Sequence, residues 1–143
     1  MAVAWKVDLY GGKVNAEKVY EELGEKNQTP EEIVEMARNN PDSELHRCFE
    51  WNNDIAAEKY RLQQARTIMC NLVFVTEDKK DEARVFYNLT FEKSEYHPTK
   101  LILQKPDEYM ALLEKAKGEL QAFKKKYSML KELKNIFDDI EAL

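Results

Sequence analysis

Residues 43–72 read SELHRCFEWNNDIAAEKYRLQQARTIMCNL, and the way this stretch folds decides the architecture. Ser43 starts a short helix whose inward residues are Leu45, Cys48 and Phe49. Asn52, Asn53 and Asp54 are all residue types that cap a helix, because a short side-chain oxygen can accept from the first free backbone N–H groups. Beyond them Ile55, Leu62, Ala65, Met69 and Leu72 form an apolar stripe, with Ile68 at its margin. Tyr60, Gln63, Gln64, Thr67 and Asn71 take the opposite face, and Arg61 and Arg66 flank the stripe. This is an amphipathic helix of about four or five turns. Glu58 breaks the pattern by falling inside the stripe, and Arg61, three residues on, is its natural partner.

Downstream, Leu72-Val73-Phe74-Val75 switches to strand character and a charged turn follows at 77–81. From Arg84 to Phe91 the apolar residues alternate, with Val85, Tyr87, Leu89 and Phe91 on one side. Period two predicts a β-hairpin. Tyr96-His97 adds a third short strand before Pro98, and Leu101-Ile102-Leu103 suits either an extension or a helical turn. Pro106-Asp107-Glu108 opens a long helix, with Pro in a tolerated first-turn position and acids at the positive end of the dipole. Apolar residues then recur at three-and-four spacing from Tyr109 to Leu143.

Upstream, the apolar arm 3–10 ends at Gly11-Gly12 and reads as a strand or a packed arm. Asn15 caps a helix that runs to Leu23 and stops at Gly24, with Val14 and Val19 placed for a hydrophobic staple. Thr29-Pro30-Glu31-Glu32 is a second helix start, and Asn39-Asn40-Pro41 ends that helix. The fold class is therefore α+β: helices packed on a small antiparallel hairpin sheet, closed by a C-terminal helical pair, in one domain spanning 1–143.

Composition sets the bounds. The chain has 143 residues, 43% hydrophobic and 34% charged, with only 4 Gly and 4 Pro, which suits a globular domain with short connections. A net charge of −5 argues against a generic basic nucleic-acid binder. No apolar run approaches a membrane span and no signal peptide is expected, so the predicted location is cytoplasmic with no membrane partner. Cys48 and Cys70 are read as reduced thiols.

The chemistry-bearing residues favour quiet readings. His46-x-Cys48 is too small a set for zinc, so no metal and no cofactor is predicted. Cys48 lies on an apolar face, as a packed thiol does, and matches no nucleophile signature. Glu50, Asp54 and Glu58 are read as caps and ion pairs before they are read as general acids. Gly11-Gly12 lacks the rest of a phosphate loop. No enzyme is predicted. Arg47, Arg61 and Arg66, with the run Lys124-Lys125-Lys126, are the candidate phosphate contacts, although interleaved acids suit an ion-pair network. Trp51 beside Phe49 is the candidate partner contact if exposed, and otherwise packs the helix entry.

Residues Leu45-His46, Phe49-Glu50-Trp51, Asn52-Asn53, Ala56-Ala57-Glu58, Tyr60-Arg61 and Gln64-Ala65-Arg66 together form a pattern that resembles a motif of small phage and prophage proteins common in Firmicutes. Tyr96-His97-Pro98 and Ala122-Phe123-Lys124-Lys125-Lys126-Tyr127 extend the likeness over most of the chain. The pattern usually has acids where this chain has Asn52-Asn53, which weakens a metal role for that turn. The resemblance implies a phage origin and a role inside the host cell during infection, without specifying chemistry. Two functions are expected from these features: a non-enzymatic accessory protein contacting nucleic acid, or a protein-interaction module whose acidic surface inhibits a host factor. The apolar tail and the hairpin edge predict a homo-oligomer.

Overall fold

The computed structural model describes residues 2–51, 55–78, 80–89 and 95–143, and the chain divides into two compact units, Met1–Leu101 and Ile102–Leu143. Its class is α+β: among the described residues there are six α-helices, a three-stranded sheet and a two-stranded sheet.

In the first unit, β1 (Ala2–Trp5), β2 (Leu72–Val75) and β3 (Glu82–Arg84) form an antiparallel sheet in the order β1-β2-β3. The register pairs Val3 with Phe74, Trp5 with Leu72, and Phe74 with Ala83. The outer edge of β1 is capped, since the Val3 N–H donates to Glu17 Oε1 at 2.7 Å. A side chain spends an edge donor that would otherwise be open to another strand.

α1 (Ala16–Leu23) begins where Asn15 Oδ1 accepts from Lys18 N at 3.0 Å, and ends at Gly24 with φ 72°. α2 (Pro30–Asn39) begins where Thr29 Oγ1 accepts from Glu32 N at 3.2 Å. Both caps sit where the sequence predicts them. α3 (Ile55–Asn71) packs on α2. Its buried residues among those described are Arg61, Ala65, Ile68, Met69 and Asn71, so Ile68 sits centrally and not at a margin. The predicted caps Asn52, Asn53 and Asp54 lie outside the described residues, as do the side chain of Ile55 and the strand positions Thr90 and Phe91.

Three expectations change in detail. The short helix after Ser43 is a single 3-10 turn, His46–Cys48, although Leu45, Cys48 and Phe49 are buried as predicted. Asn71, expected on the solvent face, is buried. The predicted second hairpin strand is cut in two at Val85. β3 stays in the first sheet, while β4 (Phe86–Asn88) pairs with β5 (Tyr96–Pro98) in the second, Tyr87 opposite His97. The cause is local: Val85 N–H donates to Leu72 O at 3.2 Å and its carbonyl accepts from Thr99 N at 2.8 Å. Val85 and Phe86 are then both buried in succession, which strict alternation forbids. Gln28 and Tyr96 exchange two backbone bonds, of 3.0 and 2.7 Å, and cover the β5 edge. The core is one cluster of residues from α1, α2, α3, β2 and β4, among them Leu23, Ile33, Ile68, Met69 and Phe86.

Helix α4 (Thr99–Ile102) takes Leu101 and Ile102 of the ambiguous stretch, and Leu103 lies in the turn that follows. In the second unit, α5 (Pro106–Tyr127) is followed by a 3-10 turn, Lys131–Leu133, and by α6 (Lys134–Glu141). α6 lies along the C-terminal half of α5: Gln121 Nε2 donates to Ile140 O at 3.1 Å, and the Phe123 and Phe137 rings are 6.3 Å apart. No helix among the described residues is long and apolar enough to cross a membrane.

Candidate functional site

The motif residues of 46–66 converge on Trp51. The His46 ring stacks on the indole at 4.5 Å and 9°, and the Phe49 ring is tilted against it at 5.5 Å. The guanidinium carbons of Arg61 and Arg38 lie 4.9 and 5.9 Å from the indole centroid, within cation–π range. The indole N–H donates to His46 O at 2.8 Å. His46 Nδ1 lies 2.8 Å from Ala37 O, and because a carbonyl only accepts, that nitrogen carries the proton. Glu58 takes Arg38 at 2.6 Å and Arg61 at 3.3 Å, so the acid that interrupted the apolar stripe is an ion-pair partner. Arg61 Nε donates to Glu50 O at 2.7 Å, and the Arg61 side chain is only 6% exposed. These bonds tie α2, the 3-10 turn and α3 together. Half-buried Trp51 spends its ring and its N–H on that joint.

Arg61 therefore departs from its expected role as a phosphate contact: a guanidinium held in the interior by a carboxylate, a carbonyl and an indole presents no donor fork to solvent. Arg47 and Arg66 differ from it. Both border one groove that runs between the 6–10 arm and the outer face of α3. One half of the groove, about 480 Å³, is walled by Leu9, Tyr10, Tyr60 and Gln63, with Cys48 at its lining and Arg47 at its rim. The other half, about 400 Å³, shares Leu9, Gln63 and Thr67 with the first and reaches Arg66, Cys70 and Asn71. Arg47 is exposed but bonded to Glu44 at 3.0 Å. The carboxylate of Glu44 also accepts from Asn15 N at 2.9 Å, the main reason its carboxyl is held below the usual range. The lysine run is on α5, in the second unit. There Lys124 is bonded to Glu141 and Lys126 lies 5.2 Å from the Tyr127 centroid, while Lys125 is exposed.

The arm wall is built from bonds that the sequence did not advertise. Asn71 Nδ2 donates to Val7 O and Asn71 Oδ1 accepts from Val7 N, both at 2.8 Å. A side-chain amide has the donor and acceptor of a peptide unit, so Asn71 acts as one more rung beyond the Trp5–Leu72 pair. Lys6 N donates to Asn71 O at 2.7 Å and fixes the same place twice. The arm then reverses at Gly11 and Gly12, with φ 61° and 73°, and Lys13 N donates to Tyr10 O at 3.1 Å. Two successive left-handed residues are what a type I′ turn requires, and glycine takes them without steric cost. Tyr10 rests on Trp5 at 4.8 Å.

Cys48 and Tyr10 both line the groove in their protonated forms. Burial pushes the Cys48 thiol up to about 12, only partly offset by the Tyr10 hydroxyl beside it, so it stays protonated and weakly nucleophilic near neutrality. Burial likewise pushes the Tyr10 hydroxyl up. Among the described residues no group of three or more His, Cys, Asp or Glu is gathered to hold a metal. The groove instead offers exposed apolar surface, with Val7 at 57%, Leu9 at 55% and Tyr60 at 55%, next to the amide of Gln63 and the hydroxyl of Thr67. Gln64 is committed, because its Oε1 accepts from Glu50 N at 3.2 Å. Sequence reasoning named Arg47 and Arg66, which border this groove, and placed Tyr60, Gln63 and Thr67 on one face of α3 without giving them a role; it did not anticipate the arm half. The signals available for the arm were the apolar run before Gly11-Gly12 and an Asn at the helix–strand junction.

No protein-family model, curated protein or solved structure matches the chain.

Proposed function

We propose that this chain is a non-enzymatic protein-interaction module whose groove receives an extended segment of a partner protein. One observation carries this reading: exposed Val7, Leu9 and Tyr60 line a groove in which Gln63 and Thr67 present hydrogen-bonding groups. Apolar walls take side chains, and an amide with a hydroxyl takes the peptide backbone between them. The protonated thiol of Cys48 supports a binding role over a nucleophilic one. The likeness of the 43–72 motif to phage proteins supports a task inside an infected cell, where the partner would be a host or phage protein.

A nucleic-acid strand is the second reading. Arg47 and Arg66 border the same groove that the exposed Tyr60 ring lines, an arrangement suited to phosphate contact and base stacking. The burial of Arg61 and the net charge of −5 weigh against it. Selection from a displayed peptide library, followed by binding to purified variants, separates the two. The interaction reading expects selected peptides that lose binding on Leu9→Asp and on Gln63→Ala. No selectable peptide, together with single-strand binding that weakens steeply with salt and with Arg47→Ala, transfers the assignment to nucleic acid.

A further inference from the structure

The longest helix carries a seam that its own unit leaves open. In α5 the residues Tyr109, Leu113, Ala116, Leu120, Phe123 and Tyr127 are spaced 4, 3, 4, 3 and 4 apart. That is a seven-residue repeat, the seam of a coiled coil. No residue of α5 is buried, and Tyr109, Leu113, Leu120 and Phe123 are 47, 38, 42 and 43% exposed. α6 lies at the C-terminal half and spends Phe137 and Ile140 there, leaving Phe123 still open on one side.

Two features of this seam identify what covers it. First, it is symmetric about the level of Gly118: Tyr109 and Tyr127 lie 9 residues either side, Leu113 and Phe123 lie 5, and Ala116 and Leu120 lie 2. A seam that reads alike in both directions matches a second identical helix laid antiparallel across a two-fold axis. Second, the charges at the ends are opposite, with Asp107 and Glu108 in the first turn and Lys124, Lys125 and Lys126 in the last. Antiparallel pairing sets Glu108 of one helix beside Lys126 of the other at both ends and opposes the helix dipoles. Parallel pairing sets like beside like. Lys117 approaches its own mate near the axis, but Glu114 holds it within its own helix at 3.5 Å.

We propose that a second copy of this chain covers the α5 seam, the two helices running antiparallel with their two-fold axis at the level of Gly118. A helix of 22 residues gives a seam of about 33 Å, on which α6 of each copy makes a four-helix arrangement.

Sedimentation velocity of the full-length chain across a dilution series tests this. The expected mass rises toward twice the 16.8 kDa of one chain. Leu113→Glu with Leu120→Glu gives a monomer. Lys126→Glu, at an exposed position flanking the seam, weakens the dimer by about three- to tenfold. Adding Glu108→Lys to that variant recovers part of the loss, which a parallel dimer would not do. Far-UV circular dichroism separates dissociation from unfolding, and if the leucine variant loses helicity the charge variants decide. A native chain that stays monomeric at its solubility limit, or a dimer that ignores the charge reversal, overturns the proposal.

Discussion

Replacing Asn71 by Ala removes both halves of the amide bridge to Val7, the two 2.8 Å bonds that fix the arm beside α3. A net intramolecular hydrogen bond contributes about 0.5–1.5 kcal/mol, so two contribute about 1–3. Val7 is exposed, and water can rehydrate its freed N–H and C=O, which selects the lower part of that range, about 1–2 kcal/mol. With a urea m-value of about 2 kcal/mol per molar, the unfolding midpoint should fall by about 0.5–1 M. Much of the loss is local, so the amide of Val7 should exchange faster than those of the α3 core even where global stability is ample. Asn71→Asp adds a sign test. A buried carboxyl facing the Val7 carbonyl has its pKa raised in the folded state, because only the protonated form can donate. Its contribution is then fully present below the unfolded carboxyl pKa and is lost as pH rises through the folded one. The variant should therefore be closest to wild type at low pH and furthest at neutrality. A midpoint unchanged within error in Asn71→Ala, with unaltered Val7 exchange, would refute the reasoning.

Arg61→Met should destabilise by about 1–3 kcal/mol, since it takes the guanidinium donor from the Glu50 carbonyl and leaves Glu58 with Arg38 alone. A double-mutant cycle with Glu58→Gln should show coupling below about 1 kcal/mol because Glu58 is itself nearly half exposed, and a much larger value would contradict the solvent screening argued here. Under native conditions iodoacetamide should label Cys70, which is exposed, and spare Cys48 until denaturant is added. The raised Cys48 pKa also means that its stabilising contribution is intact below the ordinary thiol value of 9 and is lost as pH rises toward about 12, readable as a falling melting temperature in that window. Gly12→Ala should cost about 1 kcal/mol or more by forcing a left-handed backbone on a residue with a Cβ, and chemical denaturation will show whether it does. Ile33→Ala, at a fully buried position, should cost about 2–5 kcal/mol, the largest loss in this set.

Local signals read well in this sequence, and signals that depend on distant partners do not. Asn15, Thr29 and Gly24 mark helix ends through bonds made within one turn, so their roles follow from a few adjacent letters. The pairing of Glu58 with Arg61 is also local, three residues apart on one helix. Arg38 joins the same carboxylate from 20 residues away: interleaved charges suggest an ion-pair network there, but not which acid Arg38 takes. Asn71 has the same difficulty at a separation of 64 residues: a polar residue on a helix reads as solvent-facing unless its partner is known. Alternation across 84–91 suggested one continuous strand, because period two carries no information about which neighbour each half will pair with. The candidate site was half legible for this reason. Its α3 face follows from periodicity, and its arm wall depends on a long-range bond.

Val85 has a kinetic consequence. Its N–H is tied to Leu72 beside the first sheet and its carbonyl to Thr99 beyond the second. Zipping β2 against β3 therefore anchors β4 at once, and only seven residues of chain separate that fixed post from β5. Loop-closure entropy, normally the brake on non-local strand pairing, is met once for both sheets. The two sheets should appear in a single kinetic phase, and a substitution that weakens the Val85 junction should split that phase in two.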